Sequence, residues 1–125
     1  MAVTHVAATR NAIADAVVDR LDLGSTDATG DIAFTTAADA VLCINNLANP
    51  AFGAAASGVA TANAIANGTV TVAGTIARAQ FRDRNNAEVF RCAVGTSGSD
   101  INLSSVAVNI NDTISISSLT YTAPA

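Results

Sequence analysis

Beyond Ser25 the chain is punctuated by turn-forming residues at roughly ten-residue spacing. STDATGD (25–31), AAD (37–39), ANPAFGAAASG (48–58), Asn67-Gly68, DRNN (83–86), GTSGSD (95–100) and NDT (111–113) each interrupt a short apolar or alternating run. The runs between them read as about seven or eight short strands behind one N-terminal helix. We therefore expect a mainly β fold: a single domain over 1–125, with a helix over about 5–23 and a β-sandwich or jelly-roll-like body over about 31–122. No internal repeat or linker divides it.

The helix is read from period. At 100° per residue Val6, Ile13, Val17 and Leu21 fall within about 80° of one another, an apolar stripe facing a core. Asn11, Asp15, Asp19 and Asp22 fall opposite and are expected to meet water. Thr4 is the expected N-cap and Gly24 the C-terminal stop. Arg10 lies beside the stripe, its stem packed and its head reaching out.

The expected strands are Asp31–Thr36 and Ala40–Leu47, a hairpin around AAD. The unbroken run Val41–Ile44 points to burial on both faces. Val59–Asn67 follows with a flat alanine face, and Asn67-Gly68 signals a hairpin into Thr69–Arg82, where Gly74 marks a bulge. Glu88–Val94 turns Phe90, Cys92 and Val94 one way. Short strands near Ile101–Leu103 and Val106–Ile110 precede Thr113–Thr122, which bends near Ser117 and Ser118.

Half of the 125 residues are apolar, but 28 of them are Ala and only 4% of the chain is aromatic. Such a core is built of small groups, each contributing little burial energy. A lone copy gains from assembly. The six basic residues are all Arg and the net charge is −4. That balance opposes nucleic-acid binding by phosphate neutralisation. No apolar run approaches the roughly 18 residues of a membrane span, and MAVTH does not open like a signal peptide. We expect neither nucleic acid nor membrane as a partner.

Catalytic chemistry finds little to work with. His5, the one histidine, sits at the start of the helix and reads as a polar helix-start residue or a partner contact. Cys43 and Cys92 match no zinc or thiol-exchange spacing; they read as two buried free thiols, or as a bridge between neighbouring strands. The nine Asp and Glu88 lack the spacing of a calcium loop, and without a lysine no phosphate loop of the usual kind is present. The expectation is no enzyme, no metal and no cofactor. Phe52 is the one large side chain in the 48–58 loop; it is either a plug on the core or an exposed partner anchor. Residues Met1, Ala2, Val3 and Thr4 precede the helix and are free to order on a partner.

MAVTHVAATRNAIADAVVDRLD, NPAFGAAASGVATANAI, EVFRCAVGTSGSDINLSS and NDTISISSLTYTAPA together resemble a group of small virion proteins of tailed bacteriophages, encoded beside the major capsid protein. The resemblance runs over most of the chain and carries no catalytic signature. It implies a capsid decoration (cement) protein on the outer shell of the virion, made in the host cytoplasm and bound to the major capsid protein. It also implies a homo-oligomer, for which we expect a trimer. Met1, Ala2, Val3, Thr4 and Phe52 are the expected partner contacts. A tail-tube or head–tail connector protein is the alternative within the virion. A carbohydrate-binding or adhesive β-sandwich is the alternative outside it, disfavoured by one Tyr and no Trp.

Overall fold

A computed structural model describes residues 3–124. It is mainly β with one N-terminal helix, and the body is β-sandwich-like. Helix α1 spans Ala7–Asp19 and runs into a 3-10 turn, Arg20–Asp22. Eleven short strands follow among the described residues. They are β1 Asp31–Thr35, β2 Val41–Asn46, β3 Val59–Thr61, β4 Gly68–Thr69, β5 Gly74–Thr75, β6 Arg78–Arg82, β7 Glu88–Gly95, β8 Ile101–Asn102, β9 Ala107–Val108, β10 Thr113–Ile114 and β11 Thr120–Thr122.

The largest sheet has the order β2-β1-β6-β7-β8, antiparallel except for the short β7–β8 pair. Its turns are those of the sequence pattern, with Asp39, Asn86 and Gly98 in left-handed conformations. β1 is buried at all five positions. The expectation that β2 would be buried on both faces is corrected. Leu42, Cys43 and Asn45 are buried, but Val41 and Ile44 are exposed, because β2 is the edge strand of the sheet and not an inner one.

The long strands expected over 59–67 and 69–82 are also corrected. They break into β3, β4, β5 and β6, and Asn67-Gly68 makes no hairpin. Instead β4 pairs with β10 and β5 with β9, both in the register that places Gly68 opposite Ile114 and Gly74 opposite Val108. Two further bonds keep that register, Val70 N–H to Asp112 and Ile76 N–H to Val106. An interrupted ribbon results, and Thr71 and Ala66 donate from it to Leu42 and Asn46 on the free edge of β2. A Cβ on Gly68 would collide with Asn45 Oδ1, and with Cys43 Sγ and Ile44 O at 2.7 Å. This glycine therefore serves close approach to β2, not turning. Fully buried Asn45 closes the corner by donating to Ile114 O at 3.0 Å.

The expected helix is present but differently seated. Thr4 is not its N-cap. Val6 holds that place, extended at φ −67° and ψ 160°, and offers no side-chain cap. It is 70% exposed. Leu21 is buried as the stripe predicts, but Ala14 and Val18 take the places expected of Ile13 and Val17, which are only partly buried. Polar partners set this rotation. Asn11, Asp15 and Asp22 are half-buried rather than fully in water, and accept the backbone N–H groups of Gly58, Ala55 and Ala51, each at 2.8–2.9 Å. Arg10 donates to the carbonyls of Ala123 and Pro124. Only Asp19 on that face lacks such a partner; burial, then the charges of Asp15 and Asp22, raise its pKa.

One buried ion pair fastens the sheet where the helix arrives. Asp31 on β1 lies directly opposite Arg82 on β6, and the guanidinium grips its carboxylate with two bonds of 2.7 and 2.9 Å. Gly30, just before it, has no room for a side chain between Arg82 O and Leu21 O. Removing one member of such a pair strands the other charge. Asp31→Ala is expected to cost about 3 kcal/mol or more in urea unfolding. Replacing both residues by aliphatic ones is expected to cost markedly less.

An aromatic cleft as the candidate functional site

Four of the five aromatic residues lie together. Phe52, Phe81, Phe90 and Tyr121 gather around one cleft of about 300 Å3. Phe81 and Phe90, paired across β6 and β7, stack with ring centroids 4.4 Å apart. Phe90 meets Tyr121 of β11 at 5.5 Å in a tilted contact. Arg91, Cys92, Asp100 and the hydroxyl residues Thr120 and Thr122 line the rest. An aromatic floor with a few polar groups at its margin is the usual make-up of a binding site.

The walls of this cleft are strand edges. On β7, Ala93 and Gly95 turn toward β8, since Asp100 accepts from Ala93 N–H and Leu103 donates to Gly95 O. Alternation along a strand then directs the N–H and C=O of Arg91 the same way. β8 has only two residues and does not reach that far. On β11, Leu119 and Ala123 bond toward β3 and its neighbours, so Thr120 and Thr122 direct their backbone groups away from β3. No described backbone group pairs with the outward groups of Arg91, Thr120 or Thr122.

Of the residues expected to touch a partner, Phe52 is corrected in role. It is 4% exposed, bridges to Ala62 and forms part of the cleft floor, so it is the plug and not an exposed anchor. The loop is held down by α1 through Ala51 and Ala55, which carries Phe52 inward. Val3 is 60% exposed and Thr4 is exposed, in an extended lead into the helix. Met1 and Ala2 lie outside the described residues. The sequence reading missed Phe81, Phe90 and Tyr121 as a group. Strand period had placed Phe90 and Tyr121 on faces, but nothing local joined the faces.

Cys43 and Cys92 are both free. They lie in one cross-strand row, Cys43–Phe34–Ala79–Cys92. Three strand spacings, about 14 Å, separate them, too far for the bridge weighed above. Among the described residues no group of three or more His, Cys, Asp or Glu is placed to hold a metal, and no helix is long and apolar enough to cross a membrane. Compared with protein-family models, with curated proteins and with solved structures, the chain finds no match.

Two outcomes test the geometry of the cleft. Phe52→Ala empties its floor and is expected to destabilise the free protein by about 3 kcal/mol, read by urea unfolding. Burial, then the charge of Asp100, pushes the Cys92 thiol from its ordinary value of 9.0 to about 11. The fold therefore favours the protonated thiol, and this contribution is present below pH 9 and lost as pH rises from about 9 to about 11. Wild type is expected to lose more stability across that window than Cys92→Ser.

Proposed function

We propose that the chain is a non-enzymatic structural protein of a tailed-bacteriophage virion, a capsid decoration (cement) protein bound in many copies to the outer capsid lattice. The sequence resemblance supports this reading. The structural observation that carries it is two large apolar side chains left at the surface between the paired strands β4–β10 and β5–β9. Val72, in the bend between β4 and β5, and Ile110, in the 109–112 turn between β9 and β10, are 51% and 59% exposed. Single exposed apolar residues are ordinary, but here the paired strands on either side hold both segments in place. Such a surface needs little ordering on binding, so even a small patch contributes when repeated over a lattice.

The net charge of −4 suits an outer surface better than an interior facing DNA. The major capsid protein is the partner in this reading, and the chain itself catalyses nothing.

Val72→Asp and Ile110→Asp are expected to leave the unfolding midpoint within about 0.5 kcal/mol of wild type, as surface substitutions do. Each is expected to lower the number of copies per virion, counted by quantitative mass spectrometry of purified particles. Electron microscopy of labelled virions checks the location. Label on the tail or at the head–tail junction, or full occupancy by Val72→Asp, would sink the proposal.

A further inference from the structure

Charge selects what the aromatic cleft takes. Two of the residues lining it are charged, Arg91 and Asp100. Arg91 lies between Phe90 and Cys92 on β7, so its side chain turns to the opposite face of the sheet. There its guanidinium is held by Glu88 at 2.7 Å and by Asp39 at 3.3 Å. Arg91 lends the cleft backbone, not charge.

Asp100 is different. It is exposed, and its Oδ2 accepts from Ala93 N–H at 3.1 Å. No described cation pairs with it. Its charge is felt inside the cleft, where it is the second cause, after burial, of the raised pKa of the Cys92 thiol. An anion entering the cleft meets the same repulsion.

The floor favours the same sign of charge. Phe90 and Tyr121 are both half-buried, so part of each ring is open. Their planes meet at 50° with centroids 5.5 Å apart, which makes a wedge. Phe81 stacks on Phe90, Phe52 closes the floor, and both are buried. The face of an aromatic ring is partly negative and attracts a cation within about 6 Å of its centroid. A small, strongly hydrated metal ion gives up too much water to settle on carbon. An ammonium carrying alkyl groups does not, and it gains burial against the rings, Ile101 and Leu119. The cleft, at about 300 Å3, holds one such group with room for a short tail.

We propose that the cleft binds a small free alkylammonium ion, of which trimethylammonium is the type, with its methyl groups against Phe90 and Tyr121 and its charge beside Asp100. The site does not rest on the capsid reading.

The test uses the full chain with choline chloride as the probe, followed by amide NMR at constant ionic strength. Saturable shifts are expected at Ala93, Asp100 and Tyr121, complete by about 10 mM choline. The uncharged isostere of choline, with a tert-butyl group in place of trimethylammonium, is expected to bind roughly tenfold more weakly. Asp100→Asn keeps an acceptor for Ala93 N–H and removes only the charge; it is expected to weaken choline binding roughly threefold or more. Tyr121→Leu keeps an apolar side chain without a ring and is expected to weaken it roughly fivefold or more. Phosphocholine, which carries the same cation as a lipid headgroup does, is expected to bind more weakly than choline because its phosphate approaches Asp100. No saturable shift, equal binding of the isostere, or undiminished binding by folded Asp100→Asn overturns the proposal. Phosphocholine binding as tightly as choline overturns the choice of a free cation. Shifts of the same amides on dilution alone would mean that a second copy fills the cleft, and would also overturn it.

Discussion

The row of hydrogen bonds from α1 to the 51–58 loop is the contact on which the site depends. Asn11, Asp15 and Asp22 each take one loop N–H, running up the helix as the loop runs down. A hydrogen bond accepted by a charged or amide oxygen contributes about 1–3 kcal/mol net. Three in a row order a segment that is rich in alanine and has little apolar surface of its own to bury. Phe52 sits inside that segment. On its other side the loop is tied by the bridge of Phe52 to Ala62 and by the bonds Gly53 N–H to Thr61 O and Asn63 N–H to Ala51 O, so the ring over Phe81, Phe90 and Tyr121 is held from both sides. The acidic face of the helix is thus structural, although its composition resembles a solvated surface.

Scarcity of large side chains explains the shape of the rest. Five aromatics serve 125 residues, and only Phe34 lies away from the cleft, fully buried on β1. Elsewhere the layers come together through small groups. Helix α1 packs on β3, and each contributes a fully buried alanine, Ala14 and Ala60. Gly68 lets the ribbon lie against β2. Small residues permit close approach but fill little space, so fit must come from backbone proximity. The buried Asp31–Arg82 pair and buried Asn45 then fix which strands lie side by side, a task that a core of alanine does poorly because alanine fits many neighbours equally well.

Much of the fold was legible in the sequence, and the failures share one cause. β1, β2, β6 and β7 with their turns were readable because the period-2 pattern and the left-handed turn residues are local signals. The break in the last strand was readable for the same reason. The seat of the helix was not: an apolar stripe computed from Val6, Ile13, Val17 and Leu21 cannot know that loop amides will claim Asn11 and Asp15. Asn67-Gly68 misled because glycine satisfies a tight turn and a close approach equally well, and only the position of Asn45 decides between them. The cleft was illegible for a stronger reason. Its floor joins residues 52, 81, 90 and 121, and its walls are defined by which backbone groups remain unpaired. Side-chain patterns do not encode pairing that is absent.

The two sides of the large sheet end differently, and that asymmetry is a property of the chain order. β2 is followed, after the loop, by the 66–71 segment, which returns antiparallel and takes two of its edge carbonyls. β7 is followed by a five-residue turn into β8, which the parallel alignment limits to two residues. A short parallel return cannot cover a long strand, because the chain must first travel back along it. The edge is therefore left open around Arg91 by topology, and the bulge at Val89 breaks its register toward Glu88.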